Sequence, residues 1–246
     1  MQDKFIMPNL IEFQNIEKTF GEIRILKSLN FTIQKGDLIG LIGRSGEGKT
    51  TLLRTLIGFY KPNSGKIIFK GKDITRKTSE ISNIVGFCTQ ENSFYPELTS
   101  EENLYYFGRL YGIKKKVLQQ RAKELLELVQ LYEKRKIIAG NMSGGMKRRL
   151  DFAISLVHNP DILILDEPTT GLDPIIRQSL WDIIEEINKR GVTIIVSSHL
   201  LDFIEEKCKK IALLKAGDMQ VYEMKSLRKK YPDKNTLTKM FTELVK

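Results

Sequence analysis

Apolar positions along the chain switch between two periods, and the switches mark its elements. Leu38–Ile42, Ile162–Asp166, Val192–Ser197 and Ile211–Lys215 are short and nearly continuous in apolar residues, as strands buried on both faces of a parallel sheet should be. Phe31–Gln34, Lys66–Phe69 and Ile84–Cys88 read as further strands. Between these runs the spacing turns helical. Lys49–Gly58 is a helix closed by Gly58 with Pro62 just beyond, and Gly145–Val157 is a helix that ends before Pro160. Ile175–Arg190 and Leu201–Lys207 follow, with two short helices near the C-terminus. Strands alternating with helices predict an α/β domain with a mainly parallel sheet. From Ser100 to Val129 the pattern is helical with a break at Tyr111-Gly112, and from about Ser93 to Asn141 no strand is predicted, so an inserted helical lobe is expected.

Composition narrows this picture. The 246 residues are 41% hydrophobic and 28% charged, ordinary for a globular chain and unlike a disordered one. The longest stretch without Asp, Glu, Lys or Arg is Gly191–Leu201, 11 residues, against the roughly 20 that a spanning helix needs. The N-terminal MQDKFIMPNL has no apolar h-region, so no signal peptide is expected. Cys88 and Cys208 are too few for a disulfide framework or a zinc site, and His158 and His199 too few for a histidine-rich metal centre. A reducing, cytoplasmic setting is expected. The net charge of +10 suits an anionic partner such as nucleic acid, a phosphorylated ligand or a membrane surface, and equally a solvated basic surface.

Three motifs carry chemistry. Gly43-Arg-Ser-Gly-Glu-Gly-Lys-Thr50 fits G-x-x-x-x-G-K-[ST] and lies between an apolar strand and a helix. Its glycines let backbone N–H groups converge on phosphate oxygens, and the following helix adds the positive end of its dipole. Lys49 can reach the β- and γ-phosphates, and the Thr50 hydroxyl can ligate Mg²⁺. Ile162-Leu-Ile-Leu-Asp166-Glu167 places two carboxylates at the carboxyl edge of the sheet, where open α/β folds bind ligands. Asp166 would hold Mg²⁺ directly or through water, and Glu167 is placed to activate water. Met142-Ser143-Gly144-Gly145-Met146 opens a helix, with Ser143 suited to cap it. That second exposed helix N-terminus calls for a second ligand, or a ligand held by a second molecule.

These motifs, with Gln90 after a strand, Leu-Asp-Glu-Pro-Thr-Thr-Gly-Leu-Asp173 and Ser-Ser-His199, resemble the ATP-binding subunit of an ATP-binding cassette (ABC) transporter over about Leu10–Leu244. Ser143-Gly-Gly-Met-Lys-Arg-Arg-Leu and Glu102-Asn-Leu-Tyr-Tyr-Phe-Gly-Arg-Leu-Tyr-Gly112 are most similar to the drug-exporter group that resembles daunorubicin-resistance ATPases. The resemblance implies a P-loop core with a mainly parallel sheet, an N-terminal antiparallel β portion and an inserted helical lobe. It divides the chain into a catalytic core at 1–92 and 142–225, a helical lobe at 93–141 and short C-terminal helices at 226–246.

The resemblance also assigns roles. Gly43, Arg44, Ser45, Gly46, Glu47, Gly48, Lys49, Thr50 and Thr51 would cradle the phosphates of ATP. Phe20 would stack on adenine, where the family more often has Tyr; it could instead be a core residue. Gln90 would sense Mg²⁺ and the attacking water, and His199 would bind the γ-phosphate or else be an ordinary strand-end histidine. Ser143, Gly144 and Gly145 would bind ATP held by a second subunit, and Asp173 would contact that subunit's P-loop. Met142 and Met146 replace the Leu and Gln of the commonest signature. The implied partners are a second ATPase subunit and a separate transmembrane permease, with no nucleic acid, at the cytoplasmic face of the cell membrane. A cassette ATPase in translation, repair or assembly is the alternative. Phe94, Tyr95 and Leu98 are expected to line a groove for a permease helix, and Phe107 and Tyr111 to share one helix face.

Overall fold

The computed structural model describes residues 9–245; most of the N-terminal segment read for a signal peptide lies outside them. In chain order the strands are β1 (Asn9–Phe20), β2 (Ile23–Gln34), β3 (Leu38–Ile42), β4 (Ser64–Phe69), β5 (Lys72–Asp73), β6 (Val85–Cys88), β7 (Ile162–Asp166), β8 (Thr193–Ser197), β9 (Lys210–Lys215) and β10 (Asp218–Glu223). The helices are α1 (Lys49–Leu56), α2 (Thr78–Ile84), α3 (Ser100–Leu110), α4 (Lys115–Leu128), α5 (Gly144–Ser155), α6 (Pro174–Lys189), α7 (Leu201–Lys207), α8 (Met224–Lys230) and α9 (Leu237–Leu244).

The strands form two sheets. One is four-stranded and antiparallel, ordered β2-β1-β4-β5; the other is six-stranded, ordered β10-β9-β3-β8-β7-β6. Within the second, β6, β7, β8, β3 and β9 run parallel and β10 closes one edge antiparallel to β9. Alternate residues of the parallel strands enter two different cores. Leu163, Leu165, Ile194, Val196, Ile211 and Leu213 face a core built with Trp181, Phe152 and the helices. Ile162, Ile164, Ile195, Ala212 and Leu214 face the antiparallel sheet and Leu52, Leu53 and Leu56 of α1. The two-residue period of a strand buried on both sides is what allows one sheet to serve both.

Between β6 and α5 lie α3, α4 and two short 3-10 turns. α3 starts in a capping box: the Thr99 hydroxyl accepts from the Glu102 N–H, and the Glu102 carboxylate accepts from the Thr99 N–H. It ends at Tyr111, and Gly112 takes φ +71°, so the predicted break falls where predicted.

Parts of the fold depart from the sequence reading. The residue pattern of β1 and the first two thirds of β2 does not read as strand, although the resemblance implies an N-terminal antiparallel β portion. Their pairing carries repeated register shifts, near Phe13/Ile16 and Lys18/Thr19, which break the alternation. β10 has no fully buried position and therefore no apolar pattern. Ile84 closes α2 instead of opening a strand. Tyr111 stacks on His158, with centroids 4.0 Å apart and planes at 10°, while Phe107 meets Tyr95 and Tyr106, so the two rings have different partners.

Candidate active site

β3 delivers the chain to the loop 43–48 at the carboxyl edge of the parallel sheet, and α1 leaves from it. Gly48, the residue before α1, has φ +100°, and a Cβ there would lie 2.6 Å from Ile25 Cγ2 of the antiparallel sheet. Only glycine meets both demands. Ser45, Gly46, Gly48, Lys49, Thr50 and Thr51 line a groove together with Gln90, Asp166, Glu167, His199 and Ile25. The P-loop, Gln90, the Asp166-Glu167 pair and His199, far apart in sequence, thus converge on one cleft.

Lys49 Nζ is held over the loop, donating to the carbonyls of Gly43 at 2.8 Å and Arg44 at 3.1 Å. Burial holds its ammonium below the usual lysine value, while the carboxylates of Glu167, Asp166 and Glu47 pull the other way. A partly desolvated cation next to carboxylates can take on a polyanionic ligand's charge at close range. Glu47 turns away from the groove and accepts from the Ala216 N–H.

Asp166 ends β7. Its Oδ2 accepts from the Thr50 hydroxyl at 3.4 Å and its Oδ1 from the Ser197 hydroxyl at 2.5 Å. Glu167 is the next residue, and its backbone enters the left-handed region at φ +49°. That conformation is uncommon for a side chain of this size and costs on the order of 1 kcal/mol. It is held by the Glu167 N–H donating to Ser197 at both its carbonyl (3.2 Å) and its hydroxyl (3.0 Å). Thr170 donates its hydroxyl to Glu167 Oε2 at 3.1 Å. Glu167 Oε1 is buried and takes no aligned hydrogen bond from a described residue, although His199 Nε2 is 3.0 Å away. An acceptor in that state is suited to a water molecule entering the groove.

Ser197 and Thr170 were not singled out from the sequence. Both lie inside motifs that were, Ser-Ser-His and Pro-Thr-Thr-Gly, so the signal was present without a reason to prefer one hydroxyl over its neighbour.

Ser143, Gly144, Gly145, Asp173 and Phe20 do not line this groove. Ser143 caps α5, its hydroxyl accepting from the Met146 N–H, and it is exposed with Gly144. Gly145 is buried against Ile176 of α6, where a Cβ would come within 2.8 Å of two methyl carbons. Asp173 caps α6 through Oδ1, which accepts from the N–H groups of Ile175 and Ile176 at 3.0 Å each. Phe20 is 40% exposed, which removes the alternative of a core residue. Its ring meets Tyr60 edge-on at 5.0 Å, and Lys18 Nζ lies 4.9 Å from its centroid. Phe94 and Leu98 are half-buried, Phe94 against the helical core, so of the expected docking set Tyr95 alone is exposed.

A glycine loop between strand and helix at the carboxyl edge of a parallel sheet, with a lysine inside it and an Asp-Glu pair opposite, defines a P-loop nucleoside triphosphatase. The ABC transporter family matches residues 26–170. Nod factor export ATP-binding protein I of Burkholderia lata is 39% identical over 207 residues, 84% of this chain and 68% of that protein. Linearmycin resistance ATP-binding protein LnrL of Bacillus subtilis is 36% identical over 210 residues, 85% and 68% of the two chains. A solved ATP-binding subunit of an ABC transporter superposes with a TM-score of 0.85 at 25% identity, covering 96% of this chain and 100% of that one. A dimeric ATP-binding cassette in a post-hydrolysis state, bound to ADP and Pi, does so with a TM-score of 0.77 at 26% identity, over 87% and 99%. The chain belongs to the ABC transporter family and is an ATP-binding cassette ATPase. No helix among the described residues is long and apolar enough to cross a membrane.

Proposed function

We propose that this chain binds and hydrolyses ATP to power a membrane exporter, with Glu167 as the base that activates water. The observation that carries this reading is the buried Oε1 of Glu167, 3.0 Å from His199 Nε2 and without an aligned hydrogen bond from a described residue, in the groove that also holds Lys49 and Asp166. Loop residues 43–51 hold the phosphates, and Lys49 bridges toward the terminal one. Glu167 accepts the proton of a water that Gln90 helps to orient. His199, mostly exposed and 3.0 Å from Glu167 Oε1, lies within the same groove, where it would meet the γ-phosphate. Thr50, Asp166 and Gln90 offer hydroxyl, carboxylate and amide oxygens, a donor set that fits Mg²⁺, which keeps several water and phosphate ligands of its own. When bound, the ion would offset charge on the phosphates.

Ser143–Gly145 and Asp173 lie outside the groove, and this fits a site completed by a second ATPase subunit placing its α5 N-terminus over the nucleotide. The same reading keeps the division into a core at 1–92 and 142–225, a helical lobe at 93–141 and C-terminal helices at 226–246. It also places the chain at the cytoplasmic face of a membrane beside a separate permease. Relatives named for Nod factor export and for linearmycin resistance favour this over a role in translation, repair or assembly.

The test is Glu167→Gln. A positioned general base contributes ~10²–10⁴-fold, and the amide cannot take the proton. The variant should bind ATP with unchanged affinity, turn over at least ~100-fold more slowly, and accumulate as an ATP-bound dimer in gel filtration. Wild-type turnover would remove Glu167 from the role.

A further inference from the structure

Arg148 and Asp151 are the only charged residues that are buried among the described ones, at 6% and 2% exposure. Both lie on α5, three residues apart, and so project from the same face of the helix. Neither belongs to the groove. Burying a charge is costly unless its hydrogen bonds are met, and apolar side chains would fill the same space at less cost. Their presence calls for a reason beyond packing.

The reason is in the atoms they touch. The Arg148 guanidinium donates to three main-chain carbonyls on two separate segments: Nε to Pro168 at 2.8 Å, Nη2 to Asp166 at 3.3 Å, and Nη1 to Thr89. Asp166 and Pro168 are the two residues that flank Glu167. Thr89 is the residue before Gln90. Asp151 Oδ1 accepts from the Ser93 N–H at 2.9 Å, just beyond Gln90 on the other side. Each of the two side chains assigned to the attacking water is therefore bracketed by main-chain atoms tied to α5. This is the same helix whose N-terminus carries Ser143.

We propose that Arg148 and Asp151 are positioning residues for hydrolysis: they fix the Gln90 segment and the Glu167 turn to α5 as one unit. The inference rests on the proposed roles of Gln90 and Glu167. Arginine suits this task because its planar fork presents donors in several directions at once. A lysine in its place would present one compact charge, unable to serve three diverging carbonyls. Neither residue touches the reacting atoms. Their effect is on where Gln90 and Glu167 stand, and displacements of about 1 Å can cost ~10²-fold in rate.

The experiment compares Arg148→Lys, Asp151→Ala and Asp151→Asn with wild type by steady-state ATPase kinetics, nucleotide affinity and hydrogen–deuterium exchange over residues 89–94. Arg148→Lys and Asp151→Ala should lower kcat about 10- to 100-fold with the KM for ATP within about threefold. Exchange over 89–94 should rise in both while the rest of the fold keeps its protection. Asp151→Asn keeps an acceptor for the Ser93 N–H and should restore most of the rate and the protection. If Arg148→Lys does not fold, the two Asp151 variants decide. Wild-type protection over 89–94 in a folded Arg148→Lys or Asp151→Ala overturns the proposal, as does an Asp151→Asn variant as impaired as Asp151→Ala. Gln90→Ala is the control: if it keeps wild-type kcat, the role of Gln90 fails by itself, and the exchange measurements still decide whether α5 holds the segment.

Discussion

Asp151→Asn should make the protein more stable at neutral pH, and the gain should fade in acid. Burial raises the Asp151 carboxyl from an ordinary 3.8 to about 6, against the opposing pull of the Ser93 N–H and the Arg148 charge. Its Oδ2 is buried without a hydrogen-bond partner. Because the folded state holds this proton more tightly than the unfolded chain, wild-type stability falls as pH rises from about 4 to about 6 and is level above that. At 1.36 kcal/mol per tenfold change in proton affinity, the full fall is worth about 3 kcal/mol. An asparagine carries no charge to desolvate, but its buried amide N–H groups need partners, at about 1–2 kcal/mol. A net gain of about 1–2 kcal/mol remains at pH 7.5, or roughly 2–8 °C in melting temperature for a chain of this size. Near pH 4.5 most of it should be gone. Other titrating groups are common to both proteins and cancel in the difference. Differential scanning calorimetry of the two proteins at pH 4.5, 6 and 7.5 is the assay. A difference in melting temperature that does not vary with pH would refute the argument that a buried charge at this position destabilises the fold.

Other outcomes follow from the same geometry. Phe20→Ala should weaken ATP binding by about 1–3 kcal/mol, the usual worth of a base–aromatic stack, and Phe20→Tyr should be nearly silent; isothermal titration with ATP and with inorganic triphosphate separates base from phosphate contacts, and an equal loss for both ligands would count against stacking. ATPase activity of the isolated chain should rise faster than linearly with protein concentration. An equimolar mixture of Lys49→Ala and Ser143→Arg chains should recover activity that neither has alone, whereas linear activity with no recovery would mean that one chain completes its own site.

The chemistry of the site was more legible than the shape that carries it. Lys49, Thr50, Asp166, Glu167, Gln90 and His199 converge because fixed strand and helix ends place them, and those ends have strong local signatures: an unbroken apolar run, then glycine or acid. Most of β1 and β2 in the antiparallel sheet left no strand pattern for the opposite reason, and that sheet was expected chiefly from the resemblance. Register shifts and the left-handed residues Asn15 and Ser28 interrupt the alternation of β1 and β2, and only Phe31–Gln34 kept a readable period. Phe94 read as a loop residue beside Pro96, yet it turns inward, because nothing local reveals that the helical core passes beneath it. Arg148 and Asp151 look like the polar face of an amphipathic helix in sequence; only the fold shows that this face is interior.

The P-loop groove lies at the carboxyl edge of the parallel sheet and the ring of Phe20 at the end of β1 in the antiparallel one, and the two sheets share one hydrophobic core. The two sheets meet near the P-loop at few polar points, among them the Lys27 N–H donating to the Gly217 carbonyl at 2.7 Å. A nucleotide whose phosphates lie on the loop and whose base lies on Phe20 is then a strut across the outer edge of two sheets that already pack on a common core. Its binding energy is shared between chemistry and the cohesion of the molecule. Exchange of ADP for ATP leaves the strut in place, whereas loss of nucleotide altogether removes it. Inorganic triphosphate, which ends at the loop and Ile25, would leave the Phe20 end of β1 as it was.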